Sequence, residues 1–245
     1  MIKILITGGA GFIGSSLADR ILRSKAYSVT IVDNLLTGSE DKVPRDPRCT
    51  FVKCNVNAFE EIARVMNENR FDFVFHFAAV VGVKRTIENP VMVLNDLEGM
   101  RNVLGLCRST NVKRIYFASS SEVYGEPVEL PQHEETTPLN SRLPYAVVKN
   151  VGESFCRSYQ KEFGLNFTIF RFFNTYGPKQ SVDFVISKFI QAACQHEPIT
   201  VFGKGDQTRT FCFIDDNTDC VMKILEEGLV LNEVINIGSD INVKF

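Results

Sequence analysis

Two kinds of hydrophobic pattern alternate along the chain. Short, nearly continuous apolar runs occur at Ile2–Ile6, Ser28–Val32, Thr50–Cys54, Phe71–Phe77, Arg114–Ala118 and Asn166–Arg171, and each predicts a strand. Between them lie segments with apolar residues at helical spacing. Ser15–Leu22 is one, and Phe59–Asn69 is another, with Ile62, Val65 and Met66 on one side. A long helix is predicted from Pro90 to Thr110, with Val93, Leu94, Leu97, Val103, Leu104 and Leu106 on its apolar face. Pro144 opens a further one, Tyr145–Phe163. Strands alternating with helices predict an α/β fold, a doubly wound parallel sheet. After Phe172 the alternation loosens. Gly177-Pro178 marks a turn, Asp183–His196 and Asp215–Glu227 are predicted helices, and Ile199–Phe202, Thr210–Ile214 and Glu233–Ile237 are predicted short strands. The expected organisation is one sheet domain over residues 1–171 and a smaller substrate-covering lobe over residues 172–245. The lobe is interleaved with the first domain and expected to be incomplete at its C-terminal end.

Composition narrows the partners. The 27 basic and 29 acidic residues leave a net charge of −2, so nothing in the global field favours nucleic acid or an anionic membrane surface. An anionic ligand must then be held by local groups. Seven cysteines, an odd number with no C-x-x-C pair, are expected as reduced thiols in a cytosolic protein. The first strand begins at once, so no signal peptide is expected. The most apolar run, Phe71–Val83, contains Asp72 and His76 and is too short to span a bilayer. No metal site is expected.

The first strand runs into Gly8-Gly9-Ala10-Gly11-Phe12-Ile13-Gly14 and then a helix. Gly9-x-Gly11-x-x-Gly14 in that setting fits a dinucleotide fingerprint of the Rossmann type. The glycines permit a tight turn, close approach of backbone to a pyrophosphate, and close packing of helix on strand. The helix N-terminus presents N–H groups and partial positive charge to the phosphates. The second strand ends at Asp33, about where an acid that binds ribose hydroxyls belongs. Ala78-Ala79 after the fourth strand would admit a cofactor, although simple close packing explains two alanines equally well.

Ser120, Tyr145 and Lys149 are the candidate chemistry. Tyr145 and Lys149 lie four apart on one helix and share a face. Ser120 ends a strand expected beside that helix. A tyrosine acting as a base must lose its proton near neutral pH, about three units below its reference value, at roughly 4 kcal/mol. A positive charge about 4 Å away supplies about that much at an effective dielectric of about 20. Lys149, helped by an oxidised nicotinamide, is the predicted source. Ser120 would share the hydrogen bond of the reacting hydroxyl.

Thr7–Gly14, His76-Phe77-Ala78-Ala79, Ser119–Gly125, Tyr145-x-x-x-Lys149 and Arg171–Pro178 together resemble the extended short-chain dehydrogenase/reductases. More narrowly, the chain resembles the NAD-dependent nucleotide-sugar epimerase/dehydratase family, over nearly all its length. The resemblance implies tightly held NAD, oxidation of a sugar hydroxyl at C4, and a homodimer built on helices 91–110 and 145–163. By position it assigns Gly8, Gly11, Phe12, Ile13, Gly14, Asp33, Asn34, Asn55, Val56, Ala78, Ala79, Tyr145, Lys149 and Phe172 to the cofactor. Ser121, Asn174, Phe202 and Arg209 are assigned to a UDP-sugar substrate, and Glu122 joins Ser120, Tyr145 and Lys149 as catalytic. The family often has Asp where Asn55 stands. Arg209 could instead be a surface ion-pair residue, and Glu122 a carboxylate bonded to backbone at a strand end.

The subtype stays open at this point. Ser121 replaces the acid of dTDP-glucose 4,6-dehydratases, which disfavours dehydration. Ser120-Ser121-Glu122, Phe173–Pro178 and Gln207-Thr208-Arg209 resemble UDP-glucuronate decarboxylases. Gly82–Pro90 resembles epimerases that act on UDP-glucuronate. A binding module that senses NAD without turnover is the reading from another class. Such modules usually lack part of the Ser/Tyr/Lys set, and this chain keeps all three.

Overall fold

The computed structural model describes residues 1–201 and 208–244. The first half alternates as expected. It runs β1 (Ile2–Thr7), α1 (Phe12–Leu22), β2 (Tyr27–Asp33), β3 (Cys49–Lys53), α2 (Phe59–Asn69) and β4 (Phe73–His76). The chain continues through α3 (Val83–Glu88), α4 (Pro90–Leu94), α5 (Asp96–Ser109), β5 (Arg114–Ser120), α6 (Pro144–Phe163) and β6 (Phe167–Phe172). Then follow β7 (Thr175–Tyr176), α7 (Val185–Cys194), β8 (Thr208–Thr210), β9 (Cys212–Phe213), α8 (Ile214–Glu227), β10 (Glu233–Ile237) and β11 (Asn242–Lys244).

Seven parallel strands form one sheet in the order β10-β6-β5-β4-β1-β2-β3. The order reverses between β1 and β4, and ligands of such sheets bind outside the strand ends at that switch point. Strand alternation feeds two cores. Leu5, Val74, Phe117 and Ile169 face α2, α5 and α6 with Met100 and Leu104, whereas Ile4, Ile6, Phe75 and Phe170 face α1 and α8 with Leu17, Ile21, Val221 and Met222. On the second face Phe75, Tyr116 and Phe170 stack across three adjacent strands, with ring centroids 4.4 and 5.9 Å apart. Each such pair adds about 0.5–1.5 kcal/mol to its area burial. No helix among the described residues is long and apolar enough to cross a membrane.

Three predicted elements differ. The helix expected from Pro90 to Thr110 is interrupted at Asn95, where Glu98 N–H bonds back to the Asn95 carbonyl at 3.1 Å. There Asp96 turns inward and accepts the Val80 N–H at 2.7 Å. Residues 199–201 of the strand expected at Ile199–Phe202 form no strand, and Ile199 and Val201 are exposed. Glu233–Ile237, grouped by sequence with the second lobe, joins the large sheet beside β6. Its side chains explain this: Val234 packs against one core, while Ile235 and Ile237 pack against the other. The remaining short strands pair as β7 with β9 and β8 with β11.

Candidate active site

The glycine turn leaves β1 at the switch point. Gly8 has φ +68°, and a Cβ there would lie 2.6 Å from the Ala78 nitrogen on the neighbouring strand exit. A Cβ at Gly14 would lie 2.6 Å from the Gly8 carbonyl oxygen, so helix and turn touch through backbone. Gly11 caps α1 in extended conformation without a side-chain hydrogen bond. The N–H groups of Phe12, Ile13 and Gly14 therefore open the helix with no partner inside it. They form a ready cradle for an anion.

The other residues assigned to the cofactor line the same sheet edge. Asp33 is buried at the end of β2, with Oδ2 accepting the Ala10 N–H at 3.0 Å and Oδ1 the Leu35 N–H at 2.8 Å. The carboxylate thus fixes the glycine turn, and each oxygen keeps acceptor capacity. Asn34 is exposed, and its Oδ1 accepts the Leu36 N–H at 3.0 Å. Past β3, the Asn55 N–H donates to Glu61 and its Oδ1 accepts the Asn57 N–H, while Val56 is buried. Past β4, the Ala78 N–H donates to Thr7 Oγ1 at 3.2 Å, and Ala79 lines the central cavity. Phe172 is buried at the end of β6, its ring 5.7 Å from that of Phe77. The glycine cradle, the free helix N–H groups and the acid at the β2 end fit a dinucleotide.

Ser120, Tyr145 and Lys149 lie where the end of β5 meets α6. Helix α6 lies so close to β5 that a Cβ at Gly152 would run into the Phe117 ring. Ser120 is buried at the end of β5, its Oγ accepts the Glu122 N–H at 3.2 Å, and it is near enough to act on the Tyr145 phenol. Lys149 Nζ donates to the Ala118 carbonyl at 2.7 Å and stands 5.6 Å from the centroid of the Tyr145 ring. A small cavity beside them is lined by His76, Ala79, Asp96, Tyr145 and Lys149.

The side chains by themselves do not favour tyrosinate. Burial pushes the Tyr145 phenol up to about 12, against the lowering effect of Ser120, and the Glu122 and Asp96 charges add to the rise. Burial also pushes the Lys149 ammonium down to about 8, with Asp96 working the other way. Lys149 alone therefore does not bring Tyr145 toward neutrality. A charge counted from the motif, about 4 Å away, leaves out desolvation, which disfavours tyrosinate and ammonium alike. His76 is pushed down to about 3 by burial and by Lys149, and it stays a neutral imidazole hydrogen-bonded to Thr7 at 2.8 Å.

The residues assigned to substrate occupy neighbouring strand ends. Ser121 and the exposed Glu122 begin the turn after β5; there the Glu122 N–H is bonded to Ser120. Asn174, exposed after β6, donates from Nδ2 to the Thr210 carbonyl at 3.2 Å, which ties it to β8. Arg209 is exposed on β8 and donates to the Thr208 carbonyl at 2.8 Å. Phe202 lies outside the described residues. Sequence reasoning gives no role to Asp96, although an acid between Val93 and Met100 on an apolar face is a visible signal. It also misses the ion pair of Glu153 and Arg171, which is joined at 2.7 Å with side chains 3% and 2% exposed. Glu153 also accepts the Ser119 hydroxyl at 2.7 Å, one residue before Ser120.

The model of the NAD dependent epimerase/dehydratase family matches residues 4–238. The chain belongs to that family. It is an NAD-dependent enzyme of the extended short-chain dehydrogenase type, and NAD is its cofactor. A UDP-N-acetyl-alpha-D-glucosaminuronate decarboxylase of Bacillus cytotoxicus is 37% identical over 251 residues, 97% of this chain and 75% of that protein. The crystal structure of a UDP-glucose 4-epimerase from Thermus thermophilus in complex with NAD is 30% identical, with a TM-score of 0.91. The match covers 99% of this chain and 79% of that one. A Thermotoga maritima UDP-glucose 4-epimerase solved with UDP-glucose is 29% identical, with a TM-score of 0.93 and the same shares covered. Family membership therefore spans both decarboxylase and epimerase relatives.

Proposed function

We propose that the protein oxidises C4 of a UDP-sugar, with UDP-glucuronate as substrate and decarboxylation as the outcome. The carrying observation is Tyr145 with Lys149 Nζ 5.6 Å from its ring centroid and Ser120 buried at the end of β5, beside a dinucleotide cradle. Phe12, Ile13 and Gly14 at the start of α1, with Asp33, hold NAD. When bound, it supplies the positive charge and the oxidising power at C4 that the side chains lack. Tyr145 takes the C4 hydroxyl proton, and Ser120 steadies that oxygen. Lys149 keeps the Tyr145 side anchored to β5 through Ala118 and contributes charge. The resulting ketone is β to the sugar carboxylate, so the C5–C6 bond can break with loss of carbon dioxide; the enolate left behind takes a proton at C5, and the hydride that C4 gave up would return to C4, leaving the cofactor unchanged. Glu122 handles the proton at C5, with Ser121 beside it. Asn174 and Arg209 hold the diphosphate from the lobe over residues 172–245, and Phe202 is assigned to the nucleobase.

Support for decarboxylation comes from Ser120-Ser121-Glu122, the segment around Asn174, and the 37% identical decarboxylase. C4 epimerisation is the second reading, favoured by Gly82–Pro90 and by the two epimerase structures. Incubation with NAD and a panel of UDP-sugars, with products separated by chromatography and then read by mass spectrometry, tests both. Loss of carbon dioxide from UDP-glucuronate supports the first. An isobaric C4 epimer replaces it with the second, and no change in any UDP-sugar rejects both. The reading includes a homodimer. Val91, Met92 and Leu94 on α4 and Val147 on α6 are exposed apolar residues on the helices assigned to that interface. A monomer mass by light scattering at micromolar concentration would reject it.

A further inference from the structure

Asp96 is a carboxylate in an apolar wall. It opens α5 beside a small cluster in which Val80, Val93 and Val148 pack with Leu97 and Tyr145. One oxygen accepts the Val80 N–H at 2.7 Å, which fixes the side chain on the cavity that Tyr145 and Lys149 also line. We infer that Asp96 is a positioning residue for the reaction: fixed by the Val80 N–H on the cavity that it lines together with Tyr145 and Lys149, it is the anion that sets the pH range over which Tyr145 can act. The inference rests on the proposed role of Tyr145 but on no particular sugar.

The surroundings of Lys149 leave few other candidates. From β4 it meets His76, a neutral imidazole. From β5 it meets the Ala118 carbonyl and the Phe117 ring, neither of them charged. On its own helix, Tyr145 is protonated, and Glu153 is committed to Arg171 and Ser119. Glu122 acts on Tyr145 from the turn after β5. Asp96 is the carboxylate that bears on Lys149 itself, against the burial that drives the proton off. Burial likewise raises the Asp96 carboxyl, and the Val80 N–H and Lys149 oppose that rise. The same negative charge resists tyrosinate formation. Removing it therefore moves both proton losses, from Tyr145 and from Lys149, toward lower pH.

The test is Asp96→Asn, which keeps an acceptor for Val80 and deletes only the charge. The ε-carbon of Lys149 is titrated by NMR in NAD-loaded, sugar-free protein, with Lys149→Arg to assign the signal. The midpoint is expected to fall by about one unit, the size of one charge seen across a partly screened cavity. Both limbs of the turnover pH profile should move to lower pH by a similar amount, and Asp96→Glu should restore the wild-type midpoint. An unchanged midpoint in folded Asp96→Asn overturns the inference. If that variant does not fold, wild type decides: the Lys149 signal must show a second step at the pH where the Asp96 carboxyl titrates, and its absence overturns the inference. Neither titration uses a sugar, so failure here is distinct from failure of Tyr145→Phe to abolish turnover.

Discussion

Gly8→Ala probes the geometry on which the cofactor cradle depends. Two costs are separable. At φ +68° an L-residue pays about 1 kcal/mol for left-handed backbone. The new Cβ would also meet Ala78 N at 2.6 Å, Ala78 Cα at 2.7 Å and the Phe77 carbonyl carbon at 2.8 Å. All three are backbone atoms of the segment leaving β4, so no side-chain rotation relieves the contact. Overpacking of this kind costs about 1–3 kcal/mol. The total is about 3 kcal/mol. Gly164→Ala is the internal control: Gly164 has φ +72° with nothing within 4 Å of its would-be Cβ, so it carries the backbone cost alone, about 1 kcal/mol. Urea unfolding of both variants gives the difference, and isothermal titration gives NAD affinity. Gly8→Ala should bind NAD at least about tenfold more weakly, each factor of ten being about 1.4 kcal/mol. Gly164→Ala should bind it normally. The reasoning is refuted if Gly8→Ala loses no more stability than Gly164→Ala and binds NAD like wild type.

Three further outcomes follow from the same contacts. His76 is held near 3 when folded against 6.5 when free, so the unfolded chain binds more protons between those values and stability falls as pH falls through that window. From pH 7 to pH 5 this removes about 2 kcal/mol, and His76→Gln should flatten that part of the urea stability profile. Glu153→Gln strands the Arg171 guanidinium without its charge partner, which should cost about 3–5 kcal/mol in urea unfolding, whereas a surface pair such as Lys84–Glu88 should cost less than about 1 kcal/mol. NAD should bind more tightly than NADP, because the Asp33 carboxylate repels a 2′-phosphate; equal affinities by isothermal titration would remove Asp33 from the ribose site.

Much of this is legible in the sequence because it is local. The strand–glycine–helix order at Ile2–Leu22 and the four-residue spacing of Tyr145 and Lys149 follow from backbone geometry that sequence displays directly. Long-range facts are less visible. Glu233–Ile237 joins the large sheet because both of its faces are covered, and sequence shows an apolar run without showing what covers it. The interruption at Asn95 depends on Asp96 reaching Val80, sixteen residues earlier. The Tyr145 shift escapes sequence reasoning for a related cause. A charge at a stated distance can be guessed from a motif, but desolvation depends on every neighbour. The pair of Glu153 and Arg171 is hidden because each residue looks like an ordinary surface charge until β6 is placed beside α6.

The central claim is C4 chemistry driven from Tyr145 with NAD held throughout. It is tested most directly by following deuterium placed at C4 of UDP-glucuronate. The account predicts a decarboxylated UDP-sugar that keeps the label at C4, and no product from Tyr145→Phe. A product in which C4 carries hydrogen from solvent, or wild-type turnover by Tyr145→Phe, would contradict it.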